Sequence, residues 1–269
     1  MIRALPTILA LCLLPRLALA LEEDAPKALD GVTIDDKRGA QIDLDLPFTD
    51  HAGRAVHLRD YFGDDKPVLL TLNYYGCKML CSLQLNGVAD VLRALEWRPG
   101  EQFRVVTVSI DPREGHDLAR GKRESYLEAL DRGDVDWTFL VGSEESIRSL
   151  ADAVGFRFRY DKETDQYAHS AGMFFLSPAG KLMQVLFGVK YNPRDTKFAL
   201  IEAGEGKVGS TFERLILSCF HYDDLTGSYT PFAMGIMRLG GAATAIGIAL
   251  LLTLLWRRER QRRRAEQMT

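Results

Sequence analysis

The run Pro67-Val-Leu-Leu-Thr-Leu-Asn-Tyr74 is apolar on both of its alternating faces, and a strand of that kind is stable only where layers cover both sides of its sheet. Gly76-Cys-Lys-Met-Leu-Cys81 follows directly, and after it helical and strand-like periods alternate. A helix runs from about Leu80 to Trp97 and stops at Pro99-Gly100; a strand over Phe103–Ile110 ends at Asp111-Pro112. Helices over His116–Asp131 and Ser143–Val154 flank a short strand, Trp137–Leu140. Gly172–Leu176 and Lys181–Leu186 form a hairpin around Ser177-Pro-Ala-Gly180, and a last helix spans about Pro193 to Ala203. This order predicts an α/β sandwich whose function sits beyond the carboxyl ends of its strands, where the two cysteines fall.

The ends of the chain set its expected location. Residues 1–20 carry Arg3, an apolar stretch from Ile8 to Leu14 and Ala18-Leu-Ala20, the layout of a cleaved export signal, with an uncleaved anchor as the alternative reading. Leu239 to Trp256 contains no charge and is long enough to cross a bilayer, and Arg257-Arg-Glu-Arg-Gln-Arg-Arg-Arg264 behind it belongs on the cytoplasmic side. Gly240, Gly241, Ala242, Ala243 and Gly247 suit a lipid-embedded helix better than a globular core, and Arg238 can reach the outer interface. The expected division is a signal at 1–20, an extension at 21–42, a globular domain at 43–218, a membrane-proximal linker at 219–232, a transmembrane helix at 233–256 and a basic tail at 257–269. The protein would cross a bacterial-type inner membrane once, with its domain in the periplasm.

The chain has a formal charge of −3, but its leader, Arg238 and the tail are all cationic, so the exported part carries −10. So acidic a surface argues against nucleic acid as a partner. Roughly 210 residues between signal and span are enough for one core without disulfide staples. Cys12 leaves with the signal, so the mature chain keeps Cys77, Cys81 and Cys219, an odd number for an exported protein.

Cys77 and Cys81, at the amino end of a helix that would begin near Lys78, would project from one face of its first turn. The helix terminus favours thiolate, which is both the nucleophile and the soft ligand. Such a pair can cycle between dithiol and disulfide, or with a third ligand hold Cu(I); a purely structural bridge over so short a loop would add little stability. His169, in Gln166-Tyr-Ala-His-Ser170, is the best third ligand, since the strand after it would start beside the cysteine loop. Asp111 closes a strand where supporting carboxylates sit, and Asp-Pro also makes ordinary turns. Cys219 and His221, with Met234 and Met237 nearby, suggest a second, transient copper site, against a plain packing or dimer-contact role for the cysteine. His51, His57 and His116 have no evident partners in the sequence.

These motifs give the chain a resemblance to the Sco/SenC family of membrane-anchored, thioredoxin-like copper proteins. It covers about Asp43 to Arg214 and rests on the strand followed by Cys77-x-x-x-Cys81, on Val108-Ser-Ile-Asp111-Pro112, on Lys122-x-x-x-Tyr126-Leu127 and on Tyr167-x-His169-Ser170. The resemblance implies a thioredoxin-like sandwich, here with a C-terminal transmembrane helix, and Cys77, Cys81 and His169 as ligands of copper, Cu(I) or Cu(II), with Asp111 as a nearby carboxylate. It also implies delivery of copper to the dinuclear centre of a cytochrome c oxidase subunit, and exchange with other copper chaperones or thioredoxin-like reductants. Two features depart from the family: Lys78 stands where proline is usual, and the anchor lies at the C-terminus.

The leading expectation is therefore a copper metallochaperone. The alternatives are a thiol-disulfide oxidoreductase using Cys77 and Cys81 as its redox pair, weakened by three intervening residues instead of two, and a redox or copper sensor acting through the span. A peroxidase lacks the surrounding threonine and arginine that a single reactive cysteine needs.

Overall fold

The computed structural model describes residues 31–77, 80–133, 135–205, 209, 220–223, 228–231 and 233–266. The expected signal, Lys78, Met79 and Cys219 lie outside these residues.

Twelve strands and five α-helices are described: β1 (Thr33–Ile34), β2 (Pro47–Asp50), β3 (Ala55–His57), β4 (Val68–Asn73), α1 (Leu80–Ala94), β5 (Arg104–Ser109), α2 (His116–Leu130), β6 (Trp137–Val141), α3 (Glu144–Ala153), β7 (Phe156–Asp161), β8 (Gln166–His169), β9 (Gly172–Leu176), β10 (Leu182–Phe187), α4 (Pro193–Ala203), β11 (Phe220–Asp223), β12 (Ser228–Pro231) and α5 (Ala233–Glu266). The main sheet has the order β10-β9-β4-β5-β6-β2-β3. β4, β5 and β6 run parallel at its centre, and the outer strands are antiparallel. A second sheet has the order β1-β7-β8, and β11 pairs with β12 in a separate hairpin.

Every residue of β4 is buried, as the two-faced apolar run predicts. Leu69 faces a core shared with α1, α2 and α4 that contains Leu85, Leu92, Phe103, Trp137 and Phe175. Val68, Leu70 and Leu72 face the opposite core, closed by Ile147 and Leu150 of α3 and by Phe156 of the small sheet. Each such side chain contributes about 1.5–3 kcal/mol by leaving water.

Helix ends follow local chemistry. Ser143 caps α3 through Ser146 N–H, and Asn192 caps α4 through Arg194 N–H with Pro193 in the first turn. α1 ends at Ala94, short of the expected Trp97, and Arg132 reaches over from beyond α2 to donate to the carbonyls of Leu92 and Leu95 (Leu95 at 2.8 Å) that this end leaves open. α5 is one continuous helix of 34 residues. Within it Gly240–Arg257 has a mean hydropathy of 1.5 and is wholly unburied, so it is long and apolar enough to cross a membrane. The helix continues through the arginine-rich segment expected to be a tail.

Candidate functional site

β4 ends at Asn73, and the chain then turns through Tyr74-Tyr75-Gly76 to Cys77, with Cys77 N–H facing the Tyr74 carbonyl at 3.4 Å. Tyr75 is pinned at both ends. Its buried hydroxyl donates to the carbonyls of Leu140 (2.7 Å) and Thr107 (3.1 Å), and its N–H donates to Glu114 Oε2 at 2.8 Å. Gly76 N–H donates to Glu114 Oε1 at 2.6 Å. Burial, with the Glu114 charge beside it, raises the Tyr75 phenol well above its ordinary value, so it stays a neutral donor.

Cys77 is half-buried against the core beneath α3 and the small sheet. Cys81 is the second residue of α1; its side chain is not among those described. Cys77 precedes the helix as described, so the expectation that both thiols share one face of a first turn depends on Lys78 and Met79. Gln84 donates to the Gly172 carbonyl at 2.8 Å and ties the start of α1 to the start of β9.

His169 ends β8, three residues before β9 begins. It is 5% exposed and packed among Tyr74 (ring centroids 6.0 Å) and Phe156 (5.9 Å). Tyr74 lies three residues before Cys77, so the histidine packs against the chain end that leads to the dithiol. His169 Nδ1 is 2.7 Å from the Ser170 carbonyl, which can only accept; Nδ1 therefore carries the proton and Nε2 presents the lone pair. Burial lowers the imidazole's pKa and keeps it neutral, the form that binds metal.

Asp111 is 6% exposed, and its carboxylate accepts from Arg113, two residues on. Arg113 donates to it through Nε (2.8 Å) and Nη2 (2.7 Å), and through Nη1 to Asp165 at 2.8 Å. The guanidinium lies over the rings of Tyr160 (5.1 Å) and Tyr167 (6.0 Å), and the Arg113 hydrogen bond holds Asp165 below the usual carboxylate range. Among the described residues, the carboxylate that bonds the dithiol loop is that of Glu114. Arg113 and Glu114 escaped the sequence reading, although their place just beyond the carboxyl end of β5 is where α/β sites assemble.

Among the described residues no three His, Cys, Asp or Glu side chains gather as a metal group. His221 lies in β11 opposite Thr230, and Met234, Met237 and Arg238 lie in α5; their side chains are not described. The His116 ring lies 3.3 Å from where a Cβ on Gly53 would sit, and its Nδ1 is 3.5 Å from Asp117. His57 caps the short 3-10 helix Leu58–Tyr61, and burial lowers the pKa of His51.

A parallel-centred sheet with a thiol-bearing turn before α1 and a buried neutral imidazole beside it defines a thioredoxin-like α/β protein. The chain belongs to the SCO1/SenC family, whose sequence profile matches residues 35–201. Among solved structures it is similar to a candidate electron transfer protein from Aquifex aeolicus VF5, with 26% identity and a TM-score of 0.55 over 62% of this chain and 94% of that one. A candidate electron transport protein from the same organism matches with 24% identity and a TM-score of 0.52, covering 62% and 98%. The copper-bound ScoI of Arabidopsis thaliana matches with 18% identity and a TM-score of 0.48, covering 61% and 96%. Among curated proteins none matches the chain.

Proposed function

We propose that this protein is a copper metallochaperone that holds copper between Cys77, Cys81 and His169. It passes the metal, by ligand exchange, to the subunit of a respiratory cytochrome c oxidase that carries the dinuclear copper centre. Copper is cargo here, released intact. The observation that carries the reading is His169: buried, neutral, with Nδ1 tied to the Ser170 carbonyl and its ring against Tyr74. Two thiolates and one imidazole are a donor set suited to Cu(I), and a fixed tautomer leaves Nε2 as the donor atom. α5 anchors the domain on the outer face of the membrane, with the arginine-rich end in the cytoplasm.

The test is a Cu(I) titration of the full chain in detergent against a competing chelator. Wild type should retain one copper tightly. Cys77→Ser, Cys81→Ser and His169→Ala should each abolish that retention, and intact binding in any one removes that residue from the set.

A second reading, a thiol-disulfide oxidoreductase, gains support from the candidate electron transfer protein of Aquifex aeolicus VF5. In that reaction Cys77 and Cys81 lose two electrons and two protons to form their disulfide, and a partner disulfide takes them up as two thiols. Metal-free reduced protein should then reduce an oxidised oxidase-subunit peptide stoichiometrically; no reduction at equilibrium would exclude this role.

A further inference from the structure

The segment between β5 and α2 touches both halves of the candidate centre through two consecutive residues. Glu114 reaches back to the dithiol loop. Its two oxygens accept three hydrogen bonds, from Tyr75 N–H, Gly76 N–H and Ser109 Oγ (2.5 Å). Arg113 reaches outward to the β7–β8 hairpin, which it holds by the ion pair to Asp165 and by lying over Tyr160 and Tyr167. That hairpin ends in His169, and Tyr167 packs on Tyr74 at 5.6 Å.

Two hydrogen bonds at Cys77 itself are longer: its N–H to the Tyr74 carbonyl at 3.4 Å, and Ser82 Oγ to its carbonyl at 3.3 Å. The Glu114 contacts at 2.6 and 2.8 Å are charge-assisted bonds to two successive N–H groups, which fix the backbone direction in which Cys77 leaves β4. The fit is close, because a Cβ on Gly76 would lie 3.2 Å from Glu114 Oε1. Ser109, at the end of β5, donates to the Oε2 that also accepts from Tyr75 N–H and itself receives Asp111 N–H at 3.1 Å, so the brace is rooted in the central sheet.

We propose that Glu114 and Arg113 are positioning residues that set the spacing between the dithiol loop and His169, with Glu114 dominant because, of the two, it bonds the thiol-bearing turn directly. This inference rests on the copper-site reading above and names residues that act through the ligands without touching the metal. A gap of the wrong width would leave a three-coordinate site with one long bond, so copper affinity should follow the brace. Loss of such outer contacts weakens metal binding by about 10–100-fold.

The experiment uses the full chain in detergent and compares wild type with Glu114→Gln, Glu114→Ala, Arg113→Ala and Glu202→Gln. Glu202 lies on α4, and its substitution removes a carboxylate charge that accepts from the Tyr229 hydroxyl, remote from the dithiol turn. Three quantities are read: the Cu(I) dissociation constant by chelator competition, the thiolate-to-Cu(II) absorption band, and the thermal midpoint.

We expect Glu114→Gln, which keeps one accepting oxygen, to bind about 10-fold more weakly, and Glu114→Ala up to about 100-fold, with a shifted band in both. Arg113→Ala should fall between wild type and Glu114→Ala, and Glu202→Gln should bind as wild type does. Affinity within twofold of wild type in Glu114→Ala would overturn the proposal. So would a loss in Glu202→Gln matching that of Glu114→Ala at equal thermal midpoint.

If wild type itself binds no copper, the cargo reading fails, and the brace is then judged on the dithiol alone. Equilibration against a glutathione redox buffer should show a changed dithiol–disulfide equilibrium constant in Glu114→Ala, by about tenfold. An unchanged constant would overturn the brace as well.

Discussion

His169 is held in one protonation state and one tautomer, and both follow from where its ring lies. Burial disfavours the imidazolium, so its pKa falls below the ordinary 6.5. Unfolded chains take up that proton at about 6.5 while the folded state resists it, so between the two values the unfolded state binds more protons and stability rises with pH. The contribution is complete above about 6.5 and is lost as pH drops from there. Thermal midpoints of metal-free wild type should therefore decline from pH 7 to pH 5 more steeply than those of His169→Gln; parallel curves would show that the imidazole is not buried as described. Asp50 behaves in the opposite range. Burial opposes its charge, but N–H groups of Arg54 and Ala52 and the Arg54 side chain more than offset that, so its pKa lies below the usual carboxylate value. That stability is present above about 4 and disappears as pH falls through the depressed folded value. Asp50→Asn should cost about 1–3 kcal/mol in urea unfolding at pH 7, with a smaller difference at pH 3.

Gly87 sits on the face of α1 pressed against the chain after β10. An added Cβ would lie 2.0 Å from the Val189 carbonyl oxygen. A glycine-to-alanine change inside a helix ordinarily stabilises by roughly 0.5–1 kcal/mol, but here the clash should win and Gly87→Ala should destabilise by about 1–3 kcal/mol. A raised denaturation midpoint for this variant would disprove that approach of helix and loop. The central strands and all four helices of the domain were legible in the sequence because their periods are strong: β4 is apolar on both faces and α3 shows a clean amphipathic stripe between Ser143 and Val154. The β7–β8 hairpin was not. Phe-Arg-Phe-Arg-Tyr-Asp alternates with both arginines exposed and forms a separate small sheet, so it lacks the continuous apolar run of the central strands and only its period of two marks it as a strand. His169 could still be chosen, since its chemistry and its place before β9 are local features. Glu114 could not be paired with the dithiol turn, because that contact joins residues 38 and 39 positions apart through a side chain aimed backward from a loop.

The C-terminal β11–β12 hairpin is part of the folded body. Tyr229 is buried on α4, its ring edge-on to Phe198 at 5.5 Å, its hydroxyl donating to Glu202 at 2.7 Å and its carbonyl accepting from Arg194 at 3.2 Å. Tyr229→Phe should loosen this dock by about 0.5–1.5 kcal/mol, read as faster proteolysis around residues 223–231 with little change in the global midpoint. Unchanged cleavage would show that the hydroxyl does not hold the hairpin. The composition and tail predicted an anchor, but nothing in the linker's sequence indicated that it would fold back on α4, since the contact depends on a helix about thirty residues earlier.

The docked Tyr229 stands four positions before Ala233, where α5 begins. So short a link spans at most about 14 Å, even fully extended. With α5 in a bilayer, the folded body would be held close to the membrane surface and would meet partners exposed in the same layer. On the copper-carrier proposal, its search for a recipient would then be lateral diffusion in two dimensions, where encounter depends on the surface density of the acceptor and hardly at all on its bulk concentration.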